Sequence, residues 1–336
     1  MMTNQEIANY CLHLLEDNKE WIARFAGYAD KLNRESSSYR QNRRKFHVKR
    51  PLSVYTNVSK ATGGHEYDLR YKGQSVGTIY VDGNKVLLTT KPQRMRKSGE
   101  YYFSWEKEAV KVDWHSAEAT TFRKHFVDLL RGDEKTKSPE HNIESHMLQE
   151  LSKTLRKQKK LLCHIQPVKL SGCFFQMPTP FSASKHQFAP EYTGSRGGGI
   201  DILARVRHSS SDIRLCVCEL KDENKASEPE KAVTQQAIAY ATFIGKLIKT
   251  QEANNASWWK LFGFSRDIPD HMDIDVVTVM PPSNTYNTTE RYEEVVVLPG
   301  IDVSLHLHSV YFEADSTGEI QSILGSLKEN IESPCK

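Results

Sequence analysis

The chain has 336 residues, 38% hydrophobic, 26% charged and 10% aromatic, a composition that excludes fibrous, collagen-like and wholly disordered proteins. This length predicts about two domains, each large enough to bury its own core without staples. Lys plus Arg number 46 and Asp plus Glu 42, a net charge of +4, so a nucleic-acid footprint would have to be local.

Six cysteines, Cys11, Cys163, Cys173, Cys216, Cys218 and Cys335, are too sparse for a disulfide framework and fit a reducing, cytoplasmic compartment. The N-terminus carries acidic residues and no basic segment before an apolar one, unlike a secretory signal. No apolar run approaches the ~20 residues of a membrane span, so no membrane is expected.

In residues 3–26, Ile7, Cys11, Leu14, Leu15, Trp21, Ile22 and Phe25 recur at mostly helical intervals, which predicts an opening amphipathic helix. Residues 30–50, with Arg40, Arg43, Arg44, Lys45, Lys49 and Arg50, read as a basic loop or linker. The segments EYDLRY, SVGTIYV and KVLLTT alternate apolar and polar residues, and KGQ and Asp82-Gly83-Asn84 punctuate them, predicting a small antiparallel sheet. The stretch YYFSWEKEAVKVDW is strand-like, and Ala119, Phe122, Phe126, Leu129 and Leu130 place a helix at about 115–131. Gly132 and Asp133 end it.

The element order changes near 132–139, which predicts an N-terminal α+β domain over 1–135, of unassigned role, and a second domain over 136–336. Pro139 opens a helix whose face is Ile143, Met147, Leu148, Leu151 and Leu155. The strand-like LLCHIQPVKL follows, then Ser171 to Arg196, a long loop or irregular hairpin.

The chemistry concentrates in GGGIDILARVRHSSSDIRLCVCELKDEN, residues 197–224. It reads as two strands, IDILARV and IRLCVCELK, joined by a polar turn. Alternation sends Leu215, Val217, Glu219 and Lys221 to one face and Cys216, Cys218 and Leu220 to the other. If the strands pair, Asp201 faces Glu219 across the ladder. Two carboxylates and an ammonium then sit at one sheet end, a donor set suited to Mg²⁺, which takes carboxylate and phosphate oxygens and keeps several waters. The implied chemistry is phosphodiester hydrolysis, with Lys221 positioning water or stabilising developing charge.

These residues resemble the PD-(D/E)XK nuclease superfamily, in which an Asp on one strand and a Glu-x-Lys on the next form the metal site. Gly199-Ile200-Asp201 and Glu219-Leu220-Lys221 match that pattern. The helix in EPEKAVTQQAIAYATFIGKLI carries Gln236-Ala-Ile-Ala-Tyr240, similar to the Q-x-x-x-Y element of the RecB-type branch. The family also has a Glu on the helix before the first core strand. Glu144 fits that place, with Glu140 and Glu150 as competitors. The resemblance spans about 140–281 and implies an α/β (α+β) fold, a restriction-endonuclease-like core with a central mixed sheet flanked by helices.

It further implies a Mg²⁺-dependent nuclease, with Mn²⁺ as substitute. Asp201 and Glu219 are its metal ligands, Lys221 and Glu144 complete the catalytic set, and Gln236 and Tyr240 support the site or contact substrate. The partner implied is nucleic acid, DNA ahead of RNA, and a homodimer would supply the second site that double-strand cleavage needs. Two departures from the family stand out: no Pro precedes Asp201, and the cysteines lack the cluster of the iron–sulfur members, so no iron–sulfur cluster is expected.

Glu-x-Lys by itself is uninformative, since Glu223-Asn-Lys225 has the same form; the surrounding strands and glycines single out Glu219. Its bland reading is a cross-strand salt bridge, and that of Tyr240 a core residue. Cys216 and Cys218, with no second pair nearby, read as buried thiols, and His306 and His308 as structural or exposed residues. The basic runs at 40–50, 91–97 and 153–160 would contact phosphates if they share a face. The alternative function is a non-catalytic nucleic-acid-binding or assembly module that keeps the nuclease fold.

Overall fold

The computed structural model describes residues 2–58, 66–90, 103, 111–131, 139–153, 164–182, 190–221, 230–282, 294–316 and 318–325. The fold is mixed α+β, built on two larger sheets. The basic run at 91–97, most of that at 153–160, and Cys163 and Cys335 lie outside the described residues.

The opening segment forms two helices, α1 (Asn4–Asp17) and α2 (Glu20–Arg43). Thr3 and Glu6 cap α1 reciprocally: the Glu6 amide donates to Thr3 Oγ1 at 3.2 Å and the Thr3 amide to Glu6 Oε2 at 2.7 Å. The chain kinks at Asn18, whose side-chain amide donates back to the Leu14 carbonyl. Residues 30–43, expected as a linker, instead continue α2. That reading of polarity as a loop failed because Leu32 and Tyr39 are enough to bury one stripe of the helix.

The two halves of α2 meet different partners within one core. Trp21 and Phe25 meet Phe243 edge to face at 5.8 and 4.7 Å, whereas Tyr39 meets Tyr67 at 5.5 Å and accepts its hydroxyl hydrogen bond through its carbonyl. The basic end of α2 is partly structural: Arg43 donates to the Phe46 carbonyl and Lys45 to the Gly83 carbonyl.

The smaller sheet is an antiparallel meander, β1 (Leu52–Thr56), β2 (Glu66–Tyr71), β3 (Gln74–Asp82), β4 (Lys85–Thr90) and β5 (Lys111–Asp113), in that spatial order. Lys72 and Gly73, both at positive φ, make the tight β2–β3 turn. Helix α3 (Ala117–Arg131) closes this sheet through Phe122 and Phe126, and Trp114 is buried beside Phe46.

Helix α4 (Pro139–Leu151) leads into the larger sheet. Its strands are β6 (Ile165–Pro167), β11 (Ile202–Arg207), β12 (Ile213–Leu220), β13 (Met272–Met280), β14 (Glu294–Leu298), β15 (Val303–Ala314) and β16 (Ile320–Gly325). The spatial order is β14-β15-β13-β12-β11-β6, with β16 on β15 beyond β14. β12, β13 and β15 run parallel and the other pairings are antiparallel. The described residues of 171–196 contribute the two-residue strands β7 (Met177–Pro178), β8 (Phe181–Ser182) and β9 (Glu191–Tyr192), and β7 pairs with β10 (Gly199–Ile200).

Helix α5 (Glu230–Lys249) makes the crossover from β12 to β13 and packs on one sheet face, over Leu215 and Val217. Helix α4 packs on the other face with Cys216, Cys218 and Leu220. Each face thus takes the alternate residues of β12. The opening helix, grouped by sequence with residues 1–135, docks on α5 instead, and Gln5 bonds both the amide and the carbonyl of Val297 on β14. Helices α1 and α2 therefore join the two sheets across the expected 135/136 division. No helix among the described residues is long and apolar enough to cross a membrane.

Candidate metal centre

The β11–β12 ladder pairs Ile202 with Cys218, and Asp201 lies one residue before it, opposite Glu219. Asp201 occupies the bend between β10 and β11 rather than the strand itself. Its Oδ2 accepts the Leu220 amide at 2.9 Å, which fixes the carboxylate at the end of β12. The chain reaches this bend through glycines because neighbours crowd it: a Cβ on Gly197 would lie 1.8 Å from the Thr179 carbonyl oxygen, and one on Gly198 2.8 Å from Tyr240 Oη.

Glu219 and Lys221 are 2% and 4% exposed. Lys221 Nζ donates to Glu219 Oε1 at 3.1 Å and to Glu140 Oε1, on the first turn of α4, at 3.2 Å. One carboxylate oxygen from each of Glu140, Asp201 and Glu219 lies within 4.8 Å of the others. Glu140, the competitor at the α4 position, is thus the helix carboxylate that reaches the cluster. Glu144 follows one turn later, 2% exposed, with Oε2 3.3 Å from His141 Nδ1. Glu150 pairs with Lys153.

The electrostatics are those of crowded, dehydrated carboxylates. Burial pushes Asp201 well above the usual carboxylate range, and Glu219 and Glu144 add repulsion. Burial likewise raises Glu219 to about 7 despite the attraction of Lys221. Burial disfavours the Lys221 ammonium, but Glu219, Glu140 and Asp201 outweigh it and hold the lysine protonated.

Gln236 and Tyr240 share one face of α5, and the Gln236 amide donates to Tyr240 Oη at 3.3 Å. Burial, then the Glu219 charge, raises the Tyr240 phenol, so it stays a neutral donor beside the carboxylates.

The smaller sheet contributes residues without any local sequence signal. Tyr55 of β1 packs in the α4 core, and the Arg70 guanidinium lies 4.1 Å above its ring while Arg70 Nε donates to Asp68 at 2.9 Å. Both lie close enough to Glu144 to interact with its charge.

The donor set fits a hard divalent cation. Glu219 Oε2 is buried with no hydrogen-bond partner among the described residues, an arrangement that is costly for an ionised oxygen unless a cation takes it up. Glu140, Asp201 and Glu219 face one lysine here, so bound positive charge would relieve their repulsion. Cys11, Cys173, Cys216 and Cys218 are free and buried, and Cys216 and Cys218 lie sulfur to sulfur at 3.5 Å within the α4-side core. His306 and His308 bond Asp273 and Asp275 away from this centre. No family model, no curated protein and no solved structure matches the chain.

Proposed function

We propose that the chain is a metal-dependent nuclease of the PD-(D/E)XK type, hydrolysing phosphodiester bonds of nucleic acid, with DNA as the substrate class that the resemblance implies. The observation that carries this reading is the convergence of Asp201, Glu219 and Lys221 with Glu140 at the end of β12. The order of elements supports it: a helix bearing Glu140 and Glu144, then β6, β11 entered at Asp201, β12 ending at Glu219, and a helix bearing Gln236 and Tyr240. The restriction-endonuclease-like core is part of the same proposal.

Glu140, Asp201 and Glu219 would hold Mg²⁺ or Mn²⁺. When bound, such an ion polarises a phosphoryl oxygen and lowers the pKa of a coordinated water. Lys221, protonated and fixed by two carboxylates, serves as a hydrogen-bond donor and point charge rather than a proton acceptor. It would orient the attacking water or stabilise charge on the phosphoryl group. Tyr240, neutral and backed by Gln236, would donate to the substrate strand or keep the cluster in place.

The test is cleavage of labelled single- and double-stranded DNA and RNA with Mg²⁺, Mn²⁺ or EDTA, for wild type, Asp201→Ala and Lys221→Ala. Metal-dependent cutting lost in both folded variants supports the reading. Binding without cutting, unaltered by either substitution, would favour a non-catalytic nucleic-acid-binding module.

A further inference from the structure

At the opposite end of the larger sheet, the start of β12 and the loop from α6 (Asn255–Leu261) to β13 enclose a cavity of about 440 Å³. That volume lies within the ~300–1,000 Å³ of small-molecule sites. Arg205 pairs with Leu215, four residues before Glu219 on β12, so the cavity lies on the order of 13 Å from the metal centre.

One wall is aromatic and fixed. Trp259 and Phe264 stack in parallel at 3.9 Å with an interplanar angle of 10°, and Trp259 Nε1 donates to the Arg266 carbonyl at 2.7 Å, tying the loop to α6. Another wall is the Arg205 guanidinium, whose Nη1 donates to the Gly263 carbonyl at 2.6 Å. Gly263 has φ +91° and sits so close that a Cβ there would lie 2.7 Å from Arg205 Nη1. The loop is shaped around this arginine.

Arg205 is nevertheless underpartnered. Its Nε is buried with no hydrogen-bond partner among the described residues. Burial and the neighbouring Arg207 both disfavour its charge. Arg214, held by Asp212 and Asp275, and the exposed Arg266 also line the cavity. Of the lining carboxylates, Asp212 is held by Arg214 and Asp273 by His306 and His271, while Asp267 is exposed. A half-buried guanidinium hydrogen-bonded to a neutral carbonyl, like-charge neighbours and a flat aromatic wall are jointly satisfied by a ligand that carries an anion and a planar ring.

We propose that this cavity binds a nucleoside monophosphate, with the phosphate on Arg205 and Arg266 and the base against the Trp259–Phe264 pair. The nucleotide comes either free or as the phosphorylated end of an oligonucleotide, since both present the same groups. This site is independent of the metal centre and of the nuclease reading.

The experiment is isothermal titration of the full chain in EDTA with adenosine 5′-monophosphate, adenosine and inorganic phosphate. The variants are Arg205→Met, Arg266→Ala and Asp201→Ala. The monophosphate is expected to bind at least about tenfold more tightly than either fragment, and Arg205→Met to weaken it at least about tenfold, the scale of one charge-assisted hydrogen bond. Arg266 is exposed, so Arg266→Ala keeps the fold and should weaken binding about threefold or more. Asp201→Ala should bind as wild type does. A 5′-phosphorylated dinucleotide that binds as well as the monophosphate assigns the site to chain ends; weaker binding assigns it to free nucleotide. Absent saturable binding, equal binding of adenosine, or binding lost in Asp201→Ala and kept in Arg205→Met overturns the proposal.

Discussion

Asp201 and Glu219 stand opposite each other one residue past the last rung of the β11–β12 ladder, Ile202–Cys218, and Asp201 also accepts the Leu220 amide at 2.9 Å. The same carboxylate therefore holds the strand end through a backbone hydrogen bond and adds to the charge of the centre. Asp201→Asn separates these roles, because an amide oxygen still accepts from Leu220 while the charge repelled by Glu219 and Glu144 is gone. In metal-free protein at pH 8 its melting temperature should equal or exceed that of wild type. Its Mn²⁺ affinity should fall at least about tenfold. Wild-type affinity in this variant would remove Asp201 from the ligand set.

The two α4 carboxylates make a second contrast. Glu140 has an oxygen within 4.8 Å of those of Asp201 and Glu219, whereas Glu144 sits one turn on beside His141. Glu140→Gln should weaken Mn²⁺ binding at least about tenfold, and Glu144→Gln less than about threefold, as read by calorimetric titration. The reverse order would make Glu144 the ligand and Glu140 the partner of Lys221 alone.

The contribution of Glu219 and Asp201 to metal-free stability should fall as pH rises from about 4 to about 7, opposed by that of His146, whose burial lowers its pKa to about 4. Glu219 and Asp201 have raised pKa values in the folded chain, so across that window they bind more protons in the folded state than in the unfolded one. For Glu219, moved to about 7, the loss is on the order of 3 kcal/mol. Mn²⁺ should restore stability at pH 8 and do little at pH 5, where Asp201 and Glu219 hold protons. Thermal unfolding at both pH values, with Mn²⁺ or EDTA, checks this. Equal stabilisation by the metal at both would contradict buried carboxylate ligands.

Lys221 is the direct cation partner of Glu219 and Glu140 in the cluster. Lys221→Met at pH 8 leaves a buried carboxylate uncompensated and should cost about 3–5 kcal/mol of metal-free stability. At pH 5 Glu219 is protonated and the cost should shrink. Chemical denaturation at the two pH values measures the difference, and a pH-independent cost would mean that Lys221 acts by packing alone.

The parts legible in the sequence are those set by neighbours in the chain. The β2–β3–β4 hairpins follow from Lys72-Gly73 and Gly83-Asn84 between alternating strands, and the β12 faces follow from period two alone. The end of α2 is hidden because its buried stripe is thin, and the partner of Tyr39, Tyr67, lies on β2 outside the helix. Docking of α1 on α5 and the approach of Tyr55 and Arg70 to Glu144 depend on partners far along the chain, which no local spacing encodes. The preference for Glu144 over Glu140 had only helix position to decide it. One turn of α4 settles which carboxylate meets Lys221.

Another buried acid, Asp275, has the opposite titration and supplies a control remote from the metal. It lies on β13 beside Cys216, 0% exposed, and is bonded by His208 Nε2 at 2.7 Å and His308 Nε2 at 3.3 Å, with Arg214 at 3.7 Å. Burial alone would raise its pKa, but those hydrogen bonds and charges lower it to about 2. A depressed pKa stabilises the fold above the unfolded value near 4, and that stability is lost as pH falls through 2. The contribution is about 2–3 kcal/mol at neutral pH. Asp275→Asn should cost at least that at pH 7, because His208, His308 and Arg214 then lose a buried charge, and the difference from wild type should disappear near pH 2. Mn²⁺ affinity should be unchanged in the folded variant. Unfolding curves at pH 7, 4 and 2 are the measurement, and a cost that persists at pH 2 would assign Asp275 a role in packing rather than in charge.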